Sequence, residues 1–142
     1  MIKLKGAIIG LGKMGLSHTA IVGAHPKVDL VAVCDTSSLV LDAFKKYTQV
    51  KTYTDYQKMI EVETPDFVFI ATPTKYHYAM VKFALTKGVH VFCEKPFTLN
   101  SWQGKELVEM ASSKNLVNQV GFHNNFLGTF RELKRLLQQN TI

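Results

Sequence analysis

Three glycines near the amino terminus have the spacing of a phosphate-binding turn. Gly10, Gly12 and Gly15 fit the pattern G-x-G-x-x-G, in which Lys13 and Met14 separate the last two. The first glycine allows a sharp turn, the second lets a ligand approach the backbone, and the third lets a helix pack closely on a strand. A helix that starts here would direct its free N–H groups at phosphates. We therefore predict that these five residues bind a dinucleotide.

A carboxylate lies at the distance along the chain at which a ribose-binding acid is expected. Asp35 follows Gly15 by twenty residues, where it can accept hydrogen bonds from the adenosine ribose and repel a 2′-phosphate. The next four residues contain no Arg that could bind such a phosphate. The pattern therefore favours NAD over NADP. Asp35 could also cap the following helix, alone or in addition to binding ribose.

Strands and helices alternate along the chain. The predicted strands cover residues 4–10, 28–34, 51–53, 67–71, 89–93 and 116–120. Helices are predicted between them, with Thr74 as one N-cap and Gly88 as the stop of that helix, and a last helix at 126–139. Helical crossovers between strands require a parallel sheet with helices on both faces. The predicted fold is a doubly wound α/β fold, the Rossmann fold, with strand order 3-2-1-4-5-6.

Composition excludes several other classes of protein. The chain has 142 residues and a net charge of +6, but only two of its seventeen cationic residues are Arg, and the cationic residues are distributed along the whole chain. Nucleic acid is therefore not an expected partner. The apolar runs are far shorter than the roughly 20 residues of a membrane span. Cys34 and Cys93 lie in apolar stretches and are predicted to be reduced thiols of a cytoplasmic protein, and no Cys or His spacing predicts a metal site.

Three further segments give the chain a family resemblance. Ala71-Thr-Pro-Thr-Lys-Tyr-His77 follows the fourth predicted strand, Cys93-Glu-Lys-Pro96 follows the fifth, and Val120-Gly-Phe122 follows the sixth. Together with the glycine turn they resemble the glucose-fructose oxidoreductase/inositol dehydrogenase (Gfo/Idh/MocA) family over about residues 1–130. The resemblance implies hydride transfer between NAD or NADP and a hydroxyl or ketone of a sugar or cyclitol. It also implies a larger substrate-binding α/β domain, which mediates oligomerisation, after the dinucleotide domain.

The resemblance assigns roles to individual residues. Thr72, Pro73, Thr74 and His77 match the segment that runs under the cofactor. Glu94 matches the residue near the nicotinamide ribose, and Lys95 the catalytic residue that points at the reacting hydroxyl and also contacts the cofactor. An ammonium group beside that hydroxyl can exchange a proton with it. Lys95 could instead be a solvated turn residue, and His77 could merely cap or pack on its helix. His18 is expected to be an ordinary surface or packing residue.

The same resemblance divides the chain. Residues 1–122 are expected to form the dinucleotide-binding domain. Residues 123–142 are expected to form a linker helix towards a substrate domain that the chain does not contain. The Arg residues that the family often has after its Gly-Phe pair are replaced by His123-Asn-Asn-Phe126, so substrate contacts there stay open. The resulting expectation is the NAD-binding part of a homo-oligomeric oxidoreductase with a small, sugar-like substrate.

Three alternatives stay open from the sequence. An NAD-dependent glycosidase of the same family would share all these motifs. A non-catalytic NAD-binding sensor module would need only the glycine turn and Asp35. A methyltransferase also has a glycine turn and an acid after its second strand, but it gives no reason for Glu94-Lys95-Pro96.

Overall fold

Six parallel strands alternate with six helices in the computed structural model, which describes residues 2–139. The elements are β1 Leu4–Ile9, α1 Lys13–Gly23, β2 Val28–Cys34, α2 Ser38–Tyr47, β3 Lys51–Tyr53, α3 Tyr56–Glu63, β4 Phe67–Ile70, α4 His77–Thr86, β5 His90–Cys93, α5 Ser101–Ser113, β6 Asn118–Val120 and α6 Gly128–Gln138. Short 3-10 turns at Thr74–Tyr76 and His123–Phe126 precede α4 and α6. The strand order is β3-β2-β1-β4-β5-β6, which confirms the predicted Rossmann topology.

Apolar side chains on both faces of the sheet explain why its central strands are continuous hydrophobic runs. On one face, Ile9 of β1 and Ile70 of β4 belong to a core that α3, α4 and α5 cover. On the other face, Ile8 of β1 and Val33 of β2 pack in a second core with Leu41 of α2. Burial on both faces is the usual environment of a parallel sheet.

The carboxyl ends of the strands lie at one edge of the sheet, and the residues that follow them continue the hydrogen bonding. The N–H of Gly10 donates to the carbonyl of Cys34 at 2.7 Å, and the N–H of Glu94 donates to that of Ile70 at 2.9 Å. The N–H of Gly121 donates to the carbonyl of Cys93 at 2.9 Å. The loops that carry the predicted site residues therefore start side by side.

Predicted boundaries are wrong by one residue at the ends of β1, β4 and α6 and at the start of β5, and by more at three other places. Thr74 makes no side-chain capping bond, because the chain after Pro73 forms a 3-10 turn and α4 begins only at His77. The sixth strand begins at Asn118, not at residue 116, because the N–H of Leu116 donates to Ala111 at the end of α5. The last helix begins at Gly128, not at residue 126, because a 3-10 turn precedes it. The prediction for Gly88 is confirmed by its φ of 79°.

The remaining predictions concern the ends of the chain, membrane spans, metal sites and the two cysteines. Met1, at the start of the expected domain, and residues 140–142, at the end of the expected linker, are outside the described residues. Between residues 2 and 139, no helix has the length and apolarity to cross a membrane. No cluster of three metal-binding side chains occurs in that same range. Cys34 and Cys93 are both free and buried, and burial raises the pKa of each thiol to about 12, so neither is a reactive thiolate at neutral pH.

Candidate functional site

The glycine turn is tightly packed at two of its glycines and open at the third. Gly10 has a φ of +93°, and a Cβ there would lie 2.8 Å from the carbonyl oxygen of Ala71. A Cβ on Gly15 would overlap the carbonyl oxygen of Gly10. A Cβ on Gly12, in contrast, would have no atom within 4 Å. The open side of the turn therefore lies at Gly12, where a ligand can reach the backbone.

The amino terminus of α1 is suited to an anion. Its N-cap is Gly12, which supplies no side-chain cap, and the first turn contains no acidic residue. Lys13 and Met14 are both exposed in that first turn. Uncapped N–H groups and the helix dipole attract negative charge. The open backbone at Gly12 and this helix end therefore fit the phosphates of a dinucleotide.

Asp35 is attached to the glycine turn. One oxygen of its carboxylate accepts a hydrogen bond from the N–H of Leu11 at 2.6 Å. The other accepts from the N–H of Ser37 at 2.8 Å. The N-cap of α2 is Ser37, so Asp35 does not cap that helix. Since a carboxylate has about four acceptor sites, the half-buried Asp35 retains capacity for ribose hydroxyls.

His77 connects two of the segments that carried the family resemblance. Its ring is buried, with 1% of the residue exposed. Nδ1 lies 2.9 Å from the carbonyl oxygen of Pro96, and Nε2 lies 2.7 Å from that of Thr72. Both ring nitrogens are thus used inside the protein. The side chain holds the loop after β4 against the loop after β5.

The remaining residues of the loop after β4 lie close to the glycine turn. The hydroxyl of Thr72 donates to the sulfur of Met80 at 3.4 Å, and its methyl carbon would lie 2.9 Å from a Cβ on Gly10. Pro73 is exposed and Thr74 is half-buried. This loop therefore forms the wall of the glycine turn on the side of β4.

Glu94 is buried and Lys95 is exposed, although they are neighbours. The Glu94 residue is 9% exposed. Its Oε1 lies 2.8 Å from Nε2 of His18, and its Oε2 accepts a hydrogen bond from the N–H of Lys95 at 3.1 Å. The Lys95–Pro96 peptide bond is cis. The Lys95 ammonium group is therefore presented to solvent from a backbone that Glu94 holds.

Of the predicted site residues, only Met14 and Glu94 line a cleft of about 180 Å³. It extends from the glycine turn to the loop after β6, and its lining includes Met14, His18, Glu94, Gly121, His123 and Phe126. His18 and His123 were not among the predicted site residues. His18 follows Gly15 by one helical turn, which places both on one face of α1. From the sequence, His18 could have been identified by its spacing from Gly15. His123 could have been identified only by its position directly after the Gly-Phe pair.

A larger groove, of about 750 Å³, lies at the opposite edge of the sheet. Leu4, Asp66 and His90 line it at the amino ends of β1, β4 and β5. None of the predicted site residues lines this groove. Ligands of open α/β sheets bind at the carboxyl ends of the strands, so the smaller cleft is the functional candidate.

The chain is similar to known dehydrogenases over nearly all its length. Residues 4–122 match the model of the GFO_IDH_MocA oxidoreductase family, which has an NAD-binding Rossmann fold. Over 133 residues the chain is 32% identical to a D-glucoside 3-dehydrogenase of Escherichia coli K12, covering 92% of this chain and 38% of that protein. A crystal structure of myo-inositol 2-dehydrogenase from Lactobacillus plantarum matches 99% of this chain and 42% of that chain, with a TM-score of 0.88 and 36% identity.

Solved relatives include complexes with bound ligands. Scyllo-inositol dehydrogenase from Lactobacillus casei, with bound NAD(H) and scyllo-inositol, matches with a TM-score of 0.89 and 30% identity. The match covers 99% of this chain and 42% of that chain. The chain thus spans about 40% of the length of the relatives it matches.

Proposed function

The chain belongs to the Gfo/Idh/MocA oxidoreductase family, and we propose that it is the NAD-binding part of a dehydrogenase that acts on a sugar or cyclitol. The observation that carries this proposal is the shared location of the glycine turn, Asp35 and the Glu94-Lys95 pair. All of them follow strands at the carboxyl edge of one parallel sheet. A domain that only binds NAD needs the glycine turn and Asp35. The Glu94-Lys95 pair supplies proton-handling groups beside them.

Different residues of the site bind different parts of NAD. The turn from Gly10 to Gly15, with Lys13 and Met14 in the first turn of α1, holds the phosphates. Asp35 accepts from the adenosine ribose, which favours NAD over NADP. Thr72, Pro73 and Thr74 form the wall beneath the cofactor, with buried His77 behind them, and Glu94 accepts from the nicotinamide ribose. NAD supplies the carbon that accepts or returns the hydride.

Lys95 acts on the proton of the same reaction. When a hydroxyl is oxidised to a ketone, it loses a hydride from carbon and a proton from oxygen. Lys95 is exposed and follows Glu94, which lines the cleft, and we assign it to this proton and to the nicotinamide side of the cofactor. A positioned group of this kind contributes typically 10²–10⁴-fold to a rate.

The names of the relatives support a substrate class. Dehydrogenation of a glucoside and of inositols by the matched proteins supports a polyhydroxylated ring as substrate. We propose that residues 1–122 are the dinucleotide domain and that residues 123–142 lead towards a substrate domain that also forms oligomer contacts. The buried thiols of Cys34 and Cys93 support a cytoplasmic location.

The proposed activity is tested by NADH formation in the full-length protein. Myo-inositol, scyllo-inositol and D-glucosides are each offered with NAD and then with NADP, and absorbance of the reduced cofactor is followed. We expect turnover with at least one of these rings and a preference for NAD. NAD binding without reduction by any polyol would favour a sensor module, and cleavage of a glycoside with no net NADH would favour a glycosidase.

A further inference from the structure

His18 links the phosphate-binding helix to the loop after β5. It lies on α1, one turn beyond Gly15, and is 76 residues from Glu94 in sequence. Its Nε2 lies 2.8 Å from Oε1 of Glu94, and only 16% of the His18 side chain and 12% of the Glu94 side chain are exposed. Since a carboxylate only accepts, Nε2 is the nitrogen that donates. The contact therefore requires a proton on Nε2 and fixes the position of the ring.

Aromatic side chains hold the imidazole ring from behind. Its centroid lies 5.2 Å from that of Phe69 on β4 and 5.2 Å from that of Phe92 on β5. The two phenylalanines are register partners and stack on each other at 4.4 Å. Such tilted and edge-on contacts favour one orientation of a ring. His18 is therefore a rigid donor and not a mobile surface side chain.

Glu94 has both carboxylate oxygens fixed by this arrangement. Oε1 faces His18, and Oε2 accepts from the backbone of Lys95 at 3.1 Å. Gly121 closes the other side, because a Cβ there would lie 3.2 Å from Oε2. The carboxylate is thus confined between α1 and the loop after β6. It lines the same cleft as Met14 of the glycine turn.

We propose that His18 is a positioning residue for the cofactor: it holds the Glu94 carboxylate in the orientation that accepts a hydrogen bond from the nicotinamide ribose of NAD. This inference rests on the proposed function, since it assumes that NAD occupies the cleft. Two acceptor sites on Glu94 are used within the protein, and the remaining ones are aimed by His18. The backbone of Lys95 is held by the same carboxylate, so His18 also steadies the proposed catalytic group.

The test compares two nucleotides that differ in the nicotinamide half. ADP contains the adenosine ribose and the phosphates but has no nicotinamide ribose, whereas NAD has both. Affinities of the chain for each are measured by calorimetry or NMR titration for wild type, His18→Leu and His18→Gln. In Gln, the amide nitrogen can donate from nearly the position of Nε2. His25→Leu, which removes an exposed imidazole just beyond the end of α1, is the matched control.

We expect His18→Leu to weaken NAD about tenfold, the loss of one charge-assisted hydrogen bond, and to leave ADP within about twofold of wild type. His18→Gln should restore most of the affinity for NAD, and His25→Leu should change neither ligand. Gly121→Ala offers a second approach that leaves α1 intact. Its Cβ crowds Glu94 from the other side, so it should also weaken NAD but not ADP.

Two results would overturn the inference alone. One is an unchanged affinity of His18→Leu for NAD, and the other is an equal loss for NAD and ADP, which would indicate a general structural defect. Failure of the NAD-binding part of the proposed function has a different signature, because the wild-type chain would then bind neither nucleotide. In that case the proposed role of His18 is also refuted.

Discussion

Asp35 combines a structural contact with the proposed selection of the cofactor. Its Oδ2 accepts from the N–H of Leu11 within the glycine turn, so the position of the acid and that of the phosphates are coupled. We expect Asp35→Ser to weaken NAD and to narrow its preference over NADP, because the negative charge that repels a 2′-phosphate is removed. Calorimetric titration of both nucleotides measures the ratio.

Asp42→Ser is a suitable control for that experiment, because Asp42 is exposed on α2 and forms only an ion pair with Lys45 of its own helix. It should leave the ratio unchanged. Equal affinities of the unaltered chain for NAD and NADP would remove Asp35 from the selection of cofactor.

The same added methyl group should impair nucleotide binding at one glycine of the turn and folding stability at another. Gly12→Ala places a Cβ in open space, so we expect nearly unchanged folding but loss of nucleotide binding. Gly15→Ala places a Cβ on the carbonyl oxygen of Gly10, so we expect destabilisation by about 1–3 kcal/mol or more. Thermal denaturation and NAD titration separate the effects. Tight NAD binding by Gly12→Ala would show that the phosphates lie elsewhere.

The site residues differ in how far they could be predicted from sequence. The glycines and Asp35 lie at fixed distances along a local strand-turn-helix pattern, and they were identified on that ground. His18 and Gly121 were not, because their roles depend on a carboxylate 76 and 27 positions away in the chain. His77 was predicted to contact the cofactor, but the contacts that bury it with Thr72 and Pro96 exist only in the folded structure.

At the scale of elements, the short edge strand β3 is joined to α3 by a buried carboxylate. Glu63 on α3 accepts from Nζ of Lys51 at 2.9 Å and from the hydroxyl of Tyr53. Burial alone would raise the pKa of Glu63, but these two hydrogen bonds outweigh it and lower the pKa below its ordinary value. The same contact raises the pKa of Tyr53 to about 12.

The lowered pKa of Glu63 sets the direction of a stability effect with pH. Its stabilisation is complete above the ordinary carboxyl pKa of about 4.3 and is lost as the pH falls through the lower, folded-state pKa. We expect Glu63→Gln to reduce the free energy of unfolding by about 1–3 kcal/mol at pH 7. The difference from wild type should shrink in acid. Urea denaturation at pH 7 and at about pH 3 measures both.

Glu61→Gln on the same helix is the matched control, because Glu61 also pairs with a lysine, Lys87, but its side chain is 53% exposed and that of Glu63 is 7% exposed. We expect a change of less than about 1 kcal/mol there. A Glu63→Gln defect that is equally large at both pH values would show that the charge of Glu63 is not the stabilising feature.

The order of the elements was predictable, whereas their ends were not. Continuous apolar runs such as Phe67–Ile70 are expected of strands covered on both sides, and right-handed crossovers then restrict the topology. The 3-10 turns at Thr74–Tyr76 and His123–Phe126 have no comparable periodicity. They arise where backbone bonds within a loop, such as Tyr76 N–H to the carbonyl of Pro73, compete with the start of a helix.

At the scale of the molecule, α6 is the least integrated element. None of its residues is buried. Phe130, Leu133 and Leu137 form one apolar stripe on this helix, and each is between 45% and 54% exposed. Phe126 lies in the 3-10 turn before the helix and lines the cleft. We expect the stripe to drive self-association of the chain. Light scattering should show a larger mass at high concentration, and Phe130→Glu with Leu133→Glu should reduce it.

Lys134→Glu, on α6 but outside the stripe, controls for the change in charge. It should not alter the mass. A monomer at high concentration in the unaltered chain would contradict the prediction and indicate that the stripe does not mediate contacts between copies.

Residues 1–142 should perform only part of the reaction. We expect residues 1–142 to bind NAD but to catalyse little reduction of it with a polyol. Hydride transfer requires the substrate carbon to be held near the nicotinamide, and such positioning is worth about 7 kcal/mol or more of the barrier. Lys95 supplies one proton-handling group, whose typical 10²–10⁴-fold contribution does not replace that positioning.

In the full-length protein, Lys95→Ala should lower kcat by a similar factor while the affinity for NAD changes little. Lys75→Ala, which removes another exposed ammonium group at the same edge of the sheet, should keep the normal rate. Rapid turnover by residues 1–142 alone would refute the need for a further domain, and a normal rate in Lys95→Ala would remove Lys95 from the mechanism.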